Sequence, residues 1–386
     1  MNDRQLTAAW RAAQVPPFHA MAMSARATEW ARQGHEVKYL QVGQPSTGAP
    51  LGARRAVIEA LERGDSLGYT NAPGLPELSH RIAQHYFHNY AATVAPERIM
   101  IVGGASAGFT LAFLAAFDAG DRVAVLEPGY PCYRNTLIAL GITPVSIPVG
   151  PETGWAPTLA QLNEAGPLDG LVVASPSNPT GTALDAATVS SLVAHCDQHG
   201  IQLVADEIYH GITYETTAES FAGHTDRAII INSFSKYFSM TGWRLGWMIV
   251  PDHLRDEVER LQQNLYICAP HISQIAGLAA FDCTEELDGH VRRYAESRRL
   301  LIDGLHAAGI DRFASADGAF YVYADVSHLT DDSMDLCGRW LEDIGVATTP
   351  GLDFDLGRGH RFVRFSYAGE RSHIARACEL LAGWHP

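Results

Sequence analysis

The sequence predicts an α/β fold, with a large domain built on a mostly parallel sheet covered by helices on both faces. A smaller α+β domain, built from the N-terminal arm and the C-terminal part, completes it. From about residue 97, short apolar runs alternate with helix-length segments of 3.6-residue periodicity, which is typical of parallel sheets with helical crossovers. A charged helical stretch, residues 252–264, then leaves the sheet domain. The 386 residues are enough for two such cores.

Composition excludes several classes of protein. Hydrophobic residues make up 47% and charged residues 18%, as in ordinary soluble globular enzymes. The net charge of −15 argues against a nucleic-acid surface, and no apolar run reaches the roughly 18 residues of a membrane span. The N-terminus lacks the apolar core of a secretory signal. The six cysteines form no CxxC pair and the 17 histidines no HExxH cluster. We therefore expect a cytoplasmic protein without a metal, a membrane partner or a nucleic-acid partner.

The first part of the chain is predicted to form an arm and short elements that precede the sheet. An amphipathic helix is expected to end at Gly34, and a short strand after it breaks at Gly43. A helix over residues 53–63 follows, and then a Gly- and Pro-rich loop over residues 68–74 that contains Tyr69.

The remaining elements are predicted from their periodicity. Apolar runs that indicate sheet strands are Ile99–Val102, Arg122–Leu126, Leu171–Ala174, Gln202–Ala205, Ala228–Ile231 and Trp247–Val250. Helical periodicity is found at Phe109–Phe117, Tyr133–Leu140, Ala186–His199 and Gln274–Leu305. Strands of the smaller domain are expected at Phe320–Asp325, Val346–Thr349 and Phe362–Ser366. The predicted divisions are 1–45 (arm and part of the small domain), 46–275 (large domain) and 276–386 (small C-terminal domain).

Lys236 follows directly after a predicted strand, within the stretch Asn232–Gly246. Open α/β sheets bind ligands at the carboxyl ends of their strands. Two hydroxyls, Ser233 and Ser235, precede the lysine, and Arg244 follows it after a Thr-Gly turn. An amine that can form a Schiff base, beside groups suited to a phosphate dianion, points to pyridoxal phosphate. The alternative is a solvated surface lysine, the usual state of such a residue.

Four further segments carry polar or small residues at strand ends. Small residues at Gly103–Gly108 let backbone N–H groups approach an anion at a helix N-terminus. Tyr133, Asn178 and Asp206 follow the next predicted strands. Each has a structural alternative: helix–strand packing for the glycines, a core position for Tyr133, a plain turn for Asn178 and a helix cap for Asp206.

Ser-Phe-Ser-Lys ending at Lys236, followed eight positions later by Arg244 in Gly-Trp-Arg-Leu-Gly, resembles the lysine signature of the class I/II aminotransferases. These are pyridoxal-phosphate enzymes of fold type I, and motifs from Gly43 to Arg364 occur here in their order. The resemblance implies an enzyme that moves an amino group between an L-amino acid and a 2-oxo acid by a ping-pong mechanism. It also implies a homodimer with shared active sites. Alternatives are a C–S β-lyase or another enzyme of this fold type and, less favoured, a non-catalytic ligand sensor.

The resemblance also implies roles for individual positions. Lys236 would be the catalytic residue that carries the cofactor and moves the Cα proton. Cofactor phosphate contacts would come from Ala105, Ser106, Ser233, Ser235, Arg244 and, across the dimer interface, Tyr69. Cofactor ring contacts would come from Tyr133 by stacking, Asp206 at the nitrogen, and Asn178 with Tyr209 at the phenolic oxygen. Substrate contacts would come from Gly43, Asn178 and Arg364. From its apolar setting alone, Arg364 could equally form a structural ion pair. The substrate side chain stays undetermined.

Overall fold

The computed structural model of the chain describes residues 7–385. Its α-helices are α1 (Trp10–Ala13), α2 (His19–Arg32), α3 (Leu51–Glu62), α4 (Pro76–Tyr90), α5 (Ala105–Ala116), α6 (Pro131–Leu140), α7 (Leu159–Glu164), α8 (Ala186–His199), α9 (Arg255–Leu265), α10 (His271–Ala280), α11 (Thr284–Ala307), α12 (Ser333–Ile344) and α13 (Arg371–Ala382). Its strands are β1 (Lys38–Tyr39), β2 (Ile99–Val102), β3 (Arg122–Glu127), β4 (Thr143–Pro148), β5 (Gly170–Ala174), β6 (Gln202–Asp206), β7 (Ile229–Ser233), β8 (Gly246–Ile249), β9 (Tyr321–Asp325), β10 (Val346–Ala347), β11 (Thr349–Pro350) and β12 (Phe362–Ser366).

A seven-stranded sheet forms the centre of the molecule, with the strand order β2-β8-β7-β6-β5-β3-β4. Strands β7, β6, β5, β3 and β4 pair in parallel, and β8 runs antiparallel to both of its neighbours. The sheet is thus mostly parallel, and the predicted α/β fold class is confirmed. Parallel strands have to be joined by crossover connections, and here the crossover helices cover both faces of the sheet in the large domain.

Alternate side chains of the strands enter two separate cores, one on each face of the sheet. Ile99 and Ile101 of β2 pack with residues of α3, α4, α8 and α10. Met100 and Val102, which point to the other face, pack with residues of α5, α6 and α9. This period of two explains why the strands are continuous apolar runs in the sequence: both faces of the sheet are buried.

A third core joins the two ends of the chain. It contains Met23 and Ala27 of α2 together with residues of α11, α12, α13 and the antiparallel sheet β11-β12-β9. The short strands β1 and β10 pair in parallel, with Lys38 opposite Val346. The expected packing of the N-terminal arm against C-terminal elements is therefore present, while the residue numbers given for the domain boundaries stay a prediction.

Several elements differ from the sequence prediction. Strand β4 was not predicted, because its partly exposed sequence Thr-Pro-Val-Ser-Ile-Pro lies at the sheet edge, where apolar periodicity is weak. The single strand expected over residues 346–349 is two strands in two different sheets, β10 and β11. The segment 274–305, for which a long helix or a pair of helices was expected, is a pair, α10 and α11, in agreement with the second possibility. Within residues 7–385, no helix is long and apolar enough to cross a membrane.

Candidate active site

A cavity of about 330 Å³ opens at the carboxyl ends of the central strands. Strands β5, β6 and β7 end there, which places Asn178, Asp206 and Ser233 along one edge of the sheet. Twelve of the thirteen residues predicted for the site line this cavity: Gly43, Ala105, Ser106, Tyr133, Asn178, Asp206, Tyr209, Ser233, Ser235, Lys236, Arg244 and Arg364. The fold therefore brings together groups that are up to 321 residues apart in the chain (364 − 43).

Lys236 lies at the cavity wall, and its amine donates a hydrogen bond to the Gly43 carbonyl at 2.7 Å. Burial, with a smaller effect of the Arg364 charge, lowers the pKa of the amine from 10.5 to about 8. A lysine with this pKa is in part a neutral nucleophile near neutral pH, unlike the solvated surface lysine considered from the sequence.

Asp206 is a buried carboxylate at the end of β6, and Tyr133 donates its hydroxyl hydrogen bond to Asp206 Oδ2. The N–H of Ile208 is bonded to Oδ1 at 3.0 Å. Burial raises the pKa of the carboxyl to about 6, while these two hydrogen bonds act in the opposite direction. The carboxylate is thus held by hydrogen bonds, forms no ion pair with any described residue, and faces the cavity.

The hydroxyl of Tyr133 makes a contact that was not predicted. The resemblance implies that the Tyr133 ring stacks on the cofactor, and in this structure the hydroxyl of that ring donates to Asp206. Tyr130, three residues earlier, also lines the cavity and lies edge-on to Tyr133 with ring centroids 5.4 Å apart. Sequence reasoning missed Tyr130, although it lies in the same Glu127–Tyr133 segment.

One end of the cavity is lined by groups that suit an anion. The hydroxyls of Ser233 and Ser235 are buried and 2.9 Å apart, and α5 begins beside them at Ala105. Gly104 precedes this helix with a φ of +87°, and a Cβ there would come within 2.6 Å of Arg244 Nη2. Arg244 forms no ion pair with a described carboxylate. A helix N-terminus, two hydroxyls and an uncompensated guanidinium together suit an anion.

Arg364 lies at the other end and is only 5% exposed. Its Nη1 donates to Asn178 Oδ1 at 2.9 Å, and its Nη2 donates to the Gln41 carbonyl at 2.9 Å and to Thr349 Oγ1 at 3.5 Å. Its buried Nε has no hydrogen-bond partner among the described residues. No carboxylate among residues 7–385 pairs with it, so the structural ion pair considered from the sequence is absent there. A buried guanidinium with unused donors suits a carboxylate that enters from the cavity.

Tyr209 and Tyr321 share a hydrogen bond between their hydroxyls at 2.9 Å. Tyr321 also lies under the Arg364 guanidinium, at 4.4 Å from ring centroid to Cζ. A Cβ on Gly43 would overlap the Tyr321 hydroxyl, which explains the glycine at this position. Tyr321 was not predicted, because it lies in an ordinary apolar strand, and its contact with Tyr209 depends on how β9 packs.

Tyr69 is the one predicted residue that does not line the cavity. Its side chain is 82% exposed on the loop between α3 and α4. Glu207, which had no predicted role, is fully buried and accepts hydrogen bonds from Tyr86, Ser220 and the Phe221 N–H. It thereby anchors the turn between Asp206 and Tyr209. Among the described residues, no group of three or more His, Cys, Asp or Glu side chains could hold a metal ion.

Comparisons with known proteins agree with this geometry. The family model of aminotransferase class I and II matches residues 36–381. The valine–pyruvate aminotransferase of Mycobacterium tuberculosis is 49% identical, over 97% of each chain. The aspartate/prephenate aminotransferase of Thermus thermophilus is 33% identical, over 96% of this chain and 97% of its own. A crystal structure of an aminotransferase from Mycobacterium tuberculosis has a TM-score of 0.96 at 48% identity, covering 98% of this chain and 99% of that one.

Proposed function

Because the chain belongs to the class I and II aminotransferases, we propose that it transfers the amino group of an amino acid with an apolar side chain to a small 2-oxo acid. Transamination itself follows from the family and from the named relatives. The substrate class follows from the charges in the cavity, which are the observation that carries this proposal. The C–S β-lyase and ligand-sensor alternatives have no support among the relatives described above.

The residues present fit pyridoxal phosphate. Its phosphate would be held by Ser106, Ser233, Ser235, Arg244 and the first N–H groups of α5. Its ring would be held by Asp206 at the nitrogen, by Asn178 and Tyr209 at the phenolic oxygen, and by stacking on Tyr133, with Tyr130 as a second aromatic side chain in the same cavity. Asp206 supports this fit most directly, since it is a buried carboxylate without a cation partner among the described residues and would gain one in a protonated ring nitrogen. When bound, the cofactor supplies the electron sink for the charge that develops at the substrate Cα.

Lys236 has two tasks in this site. Its amine would be the attachment point for the cofactor and, once free, would take the proton from the substrate Cα and deliver it to the aldehyde carbon of the cofactor. The lowered pKa of about 8 keeps part of the amine neutral and able to accept that proton near neutral pH. Tyr133 and the Ile208 N–H keep Asp206 in position throughout, because both of its oxygens are engaged.

Arg364 would bind the α-carboxylate of the substrate with the donors that the protein leaves unused. Two parallel N–H groups fix the orientation of a carboxylate, and this decides which Cα–H is presented to Lys236. Asn178, already bonded to Arg364 Nη1, keeps the guanidinium plane in place. The same contacts would serve the amino acid and the 2-oxo acid, as a ping-pong reaction requires.

The wall that remains for the substrate side chain is mostly apolar. Phe18, Ala20, Met21, Val42 and Ile208 line it, together with the uncharged polar residues Ser24 and Gln41. The only cationic side chains among the described residues of the cavity are Lys236, Arg244 and Arg364, and each already has a task. A second carboxylate would therefore find no cation of its own among the described residues of this subunit. The named relative that acts on valine and pyruvate supports the same substrate class.

Two measurements test this proposal. Borohydride reduction of the yellow holoenzyme should fix the cofactor on the peptide that contains Lys236. A panel of amino donors with pyruvate and 2-oxoglutarate should then show valine and isoleucine turning over faster than aspartate or glutamate. Labelling at another lysine would contradict the assignment of Lys236, and a preference for acidic donors would contradict the apolar substrate class.

We also propose a homodimer in which Tyr69 serves the phosphate of the neighbouring subunit. The exposure of this tyrosine, outside its own cavity, supports that role. A cytoplasmic location and the division 1–45, 46–275 and 276–386 complete the proposal. The six cysteines, all free, support a reducing compartment.

A further inference from the structure

Helix α2 begins at the cavity but has no cap of its own. Its N-cap residue, Phe18, makes no side-chain hydrogen bond to the first turn, and that turn contains no acidic residue. The first N–H groups of a helix have no partner within the helix and need an acceptor from elsewhere. That acceptor is Asp353, which lies more than 300 residues later in the chain.

The Asp353 carboxylate is bonded to two consecutive backbone N–H groups at the start of α2. Its Oδ1 accepts from His19 at 2.8 Å and its Oδ2 from Ala20 at 2.6 Å. The side chain is 3% exposed, and burial raises the pKa of its carboxyl while these two hydrogen bonds act in the opposite direction. A charge-assisted contact with both oxygens fixes the position as well as the direction of the helix start.

The turn that carries Asp353, residues 351–354, is tied to the rest of the site. The Asp353 carbonyl accepts from Arg134 Nη2 at 3.1 Å, and the Phe354 carbonyl accepts from the Gly129 N–H at 2.9 Å. The Phe354 ring lies 4.8 Å from the Arg364 guanidinium carbon. The turn therefore holds the start of α2 in a set position relative to the carboxylate-binding arginine.

The first residues of α2 also form part of the cavity wall. Phe18, Ala20 and Met21 all line it, and the Phe18 ring lies edge-on to Tyr130 with centroids 6.4 Å apart. Met21 is 64% exposed, so packing against the protein holds it only weakly. Since Phe18 and Met21 flank the two N–H groups bound by Asp353, their distance from Arg364 depends on that carboxylate.

Resting on the proposed function, we propose that Asp353 is a positioning residue for substrate specificity. By holding the first turn of α2, it sets the space between Phe18 and Met21 on one side and Arg364 on the other. A branched apolar side chain such as that of valine fills this space more fully than the methyl group of alanine does. Asp353 itself does not line the cavity and acts on the substrate side chain through the helix.

A pair of substitutions at His19 removes one hydrogen bond without altering Asp353. His19→Pro deletes the N–H that Asp353 Oδ1 accepts, and proline suits the first position of a helix. The extended backbone of Phe18, at φ −99° and ψ +99°, is compatible with a following proline. His19→Ala changes the side chain but keeps the N–H, and so serves as the matched control.

The readout is the ratio of kcat/KM for valine to kcat/KM for alanine, measured on the holoenzyme. Pocket contacts with one or two methyl groups discriminate by roughly 10- to 200-fold, so His19→Pro should lower this ratio by about tenfold or more. His19→Ala should leave it at the wild-type value. Equal ratios in the two variants would overturn the role of Asp353. If the wild-type enzyme does not use valine at all, the proposed function is contradicted and not the role of Asp353. The rates of the wild type are enough to show this.

Asp353→Asn gives a second test with a control elsewhere in the chain. Asparagine offers one acceptor oxygen and turns an N–H₂ toward the second N–H. Asp332→Asn is the control, because Asp332 caps α12 by accepting from Met334 and Asp335 and does not line the cavity. We expect faster amide hydrogen exchange in the first turn of α2 for Asp353→Asn only, with an unchanged visible spectrum of the cofactor. Unchanged exchange at residues 19–22 would refute the contact, whatever the substrate.

Discussion

Single charged residues decide what the cavity can bind. Lys236, Arg244 and Arg364 form no ion pairs within the described part of the chain, and Asp206 is held only by neutral donors. Asp206 and Arg364 are buried, and a buried charge without a partner costs free energy, so their presence in one cavity makes them available for a ligand. A doubly charged phosphate, a carboxylate and a protonated ring nitrogen would compensate these charges one by one.

The lowered pKa of Lys236 predicts how fast the cofactor attaches at different pH values. Only the neutral amine can add to an aldehyde, and the neutral fraction rises as the pH passes upward through the pKa. The attachment rate of pyridoxal phosphate to the cofactor-free protein should therefore rise with pH and level off above about pH 8. Stopped-flow absorbance measures this rate. A rate that still rises steeply toward pH 10 would show that the pKa of the Lys236 amine is that of an ordinary lysine.

Arg364→Lys tests the fork geometry while the charge is kept. A lysine cannot make two parallel hydrogen bonds to one carboxylate, so KM for the amino acid and for the 2-oxo acid should both rise. Loss of one charge-assisted hydrogen bond, worth about 1.5–3 kcal/mol, corresponds to about 10- to 100-fold. Cofactor affinity, measured by equilibrium titration, should stay at the wild-type value. Weaker cofactor binding with unchanged KM values would contradict the prediction, because it would show that Arg364 binds the cofactor and not the substrate.

At the scale of elements, strand ends and helix starts place the functional groups. The end of β6 carries Asp206, the end of β7 carries Ser233, and the start of α5 follows Gly104. The positive φ of Gly104 turns the chain from β2 into the helix, and the missing side chain leaves room for Arg244. The cavity therefore depends on the carboxyl ends of the sheet strands. The backbone of these strands and of the adjoining helix, and not a mobile loop, sets the positions of the functional side chains.

Gly104→Ala should weaken cofactor binding because Gly104 lies close to the Arg244 guanidinium. The new Cβ would come within 2.6 Å of Arg244 Nη2, so the guanidinium must move away from the phosphate site. We expect the dissociation constant of pyridoxal phosphate to rise about tenfold. This is the change in affinity expected when one charge-assisted hydrogen bond to the phosphate is weakened. Equilibrium titration of the cofactor-free protein measures it.

Gly120→Ala is the control for backbone strain alone. Gly120 has a φ of +100° and nothing within 4 Å of its missing Cβ, so alanine there is also strained by the positive φ, at a cost of about 1–3 kcal/mol, without touching the site. Both variants should melt at a lower temperature than the wild type. Cofactor affinity should fall only in Gly104→Ala, and an equal fall in both would attribute the effect to general destabilisation.

At the scale of the whole molecule, the predicted dimer makes each active site the product of two chains. Tyr69 lies outside its own cavity and is largely exposed. A heterodimer of one Tyr69→Phe chain and one Lys236→Ala chain tests whether it serves the neighbour. If Tyr69 crosses over, both defects fall in one site and the other site is intact. Half of the sites should then show wild-type activity and wild-type cofactor affinity.

The opposite result has a distinct signature. If Tyr69 acts within its own subunit, every site carries one defect, and the active sites all show the cofactor affinity of the Tyr69→Phe parent. The homodimers of Tyr69→Phe and of Lys236→Ala serve as references for the two single defects. Titration of cofactor into the purified heterodimer separates the two models, because only the crossing model predicts a population of wild-type affinity.

Features that depend on neighbouring residues were determined by the sequence itself. Apolar runs and helical periodicity placed β2, β3, β5, β6, β7 and β8 in the chain, because burial on two faces leaves a local pattern. Twelve of the predicted site residues line one cavity because strand ends meet at one sheet edge whatever the length of the connections. The edge strand β4 was missed, since a strand with one free edge is under less pressure to be apolar.

Contacts between distant segments were decided by the tertiary structure alone. Nothing near Tyr133 shows that its hydroxyl binds Asp206, 73 residues away, and nothing near Asp353 shows that it caps α2. Among the described residues, Arg364 has no carboxylate partner because of how β12 lies beside Asn178 and Gln41, and not because of its flanking residues. Such contacts depend on strand register and helix packing, which combine many weak interactions along the whole chain, whereas periodicity and turn chemistry act over a few residues.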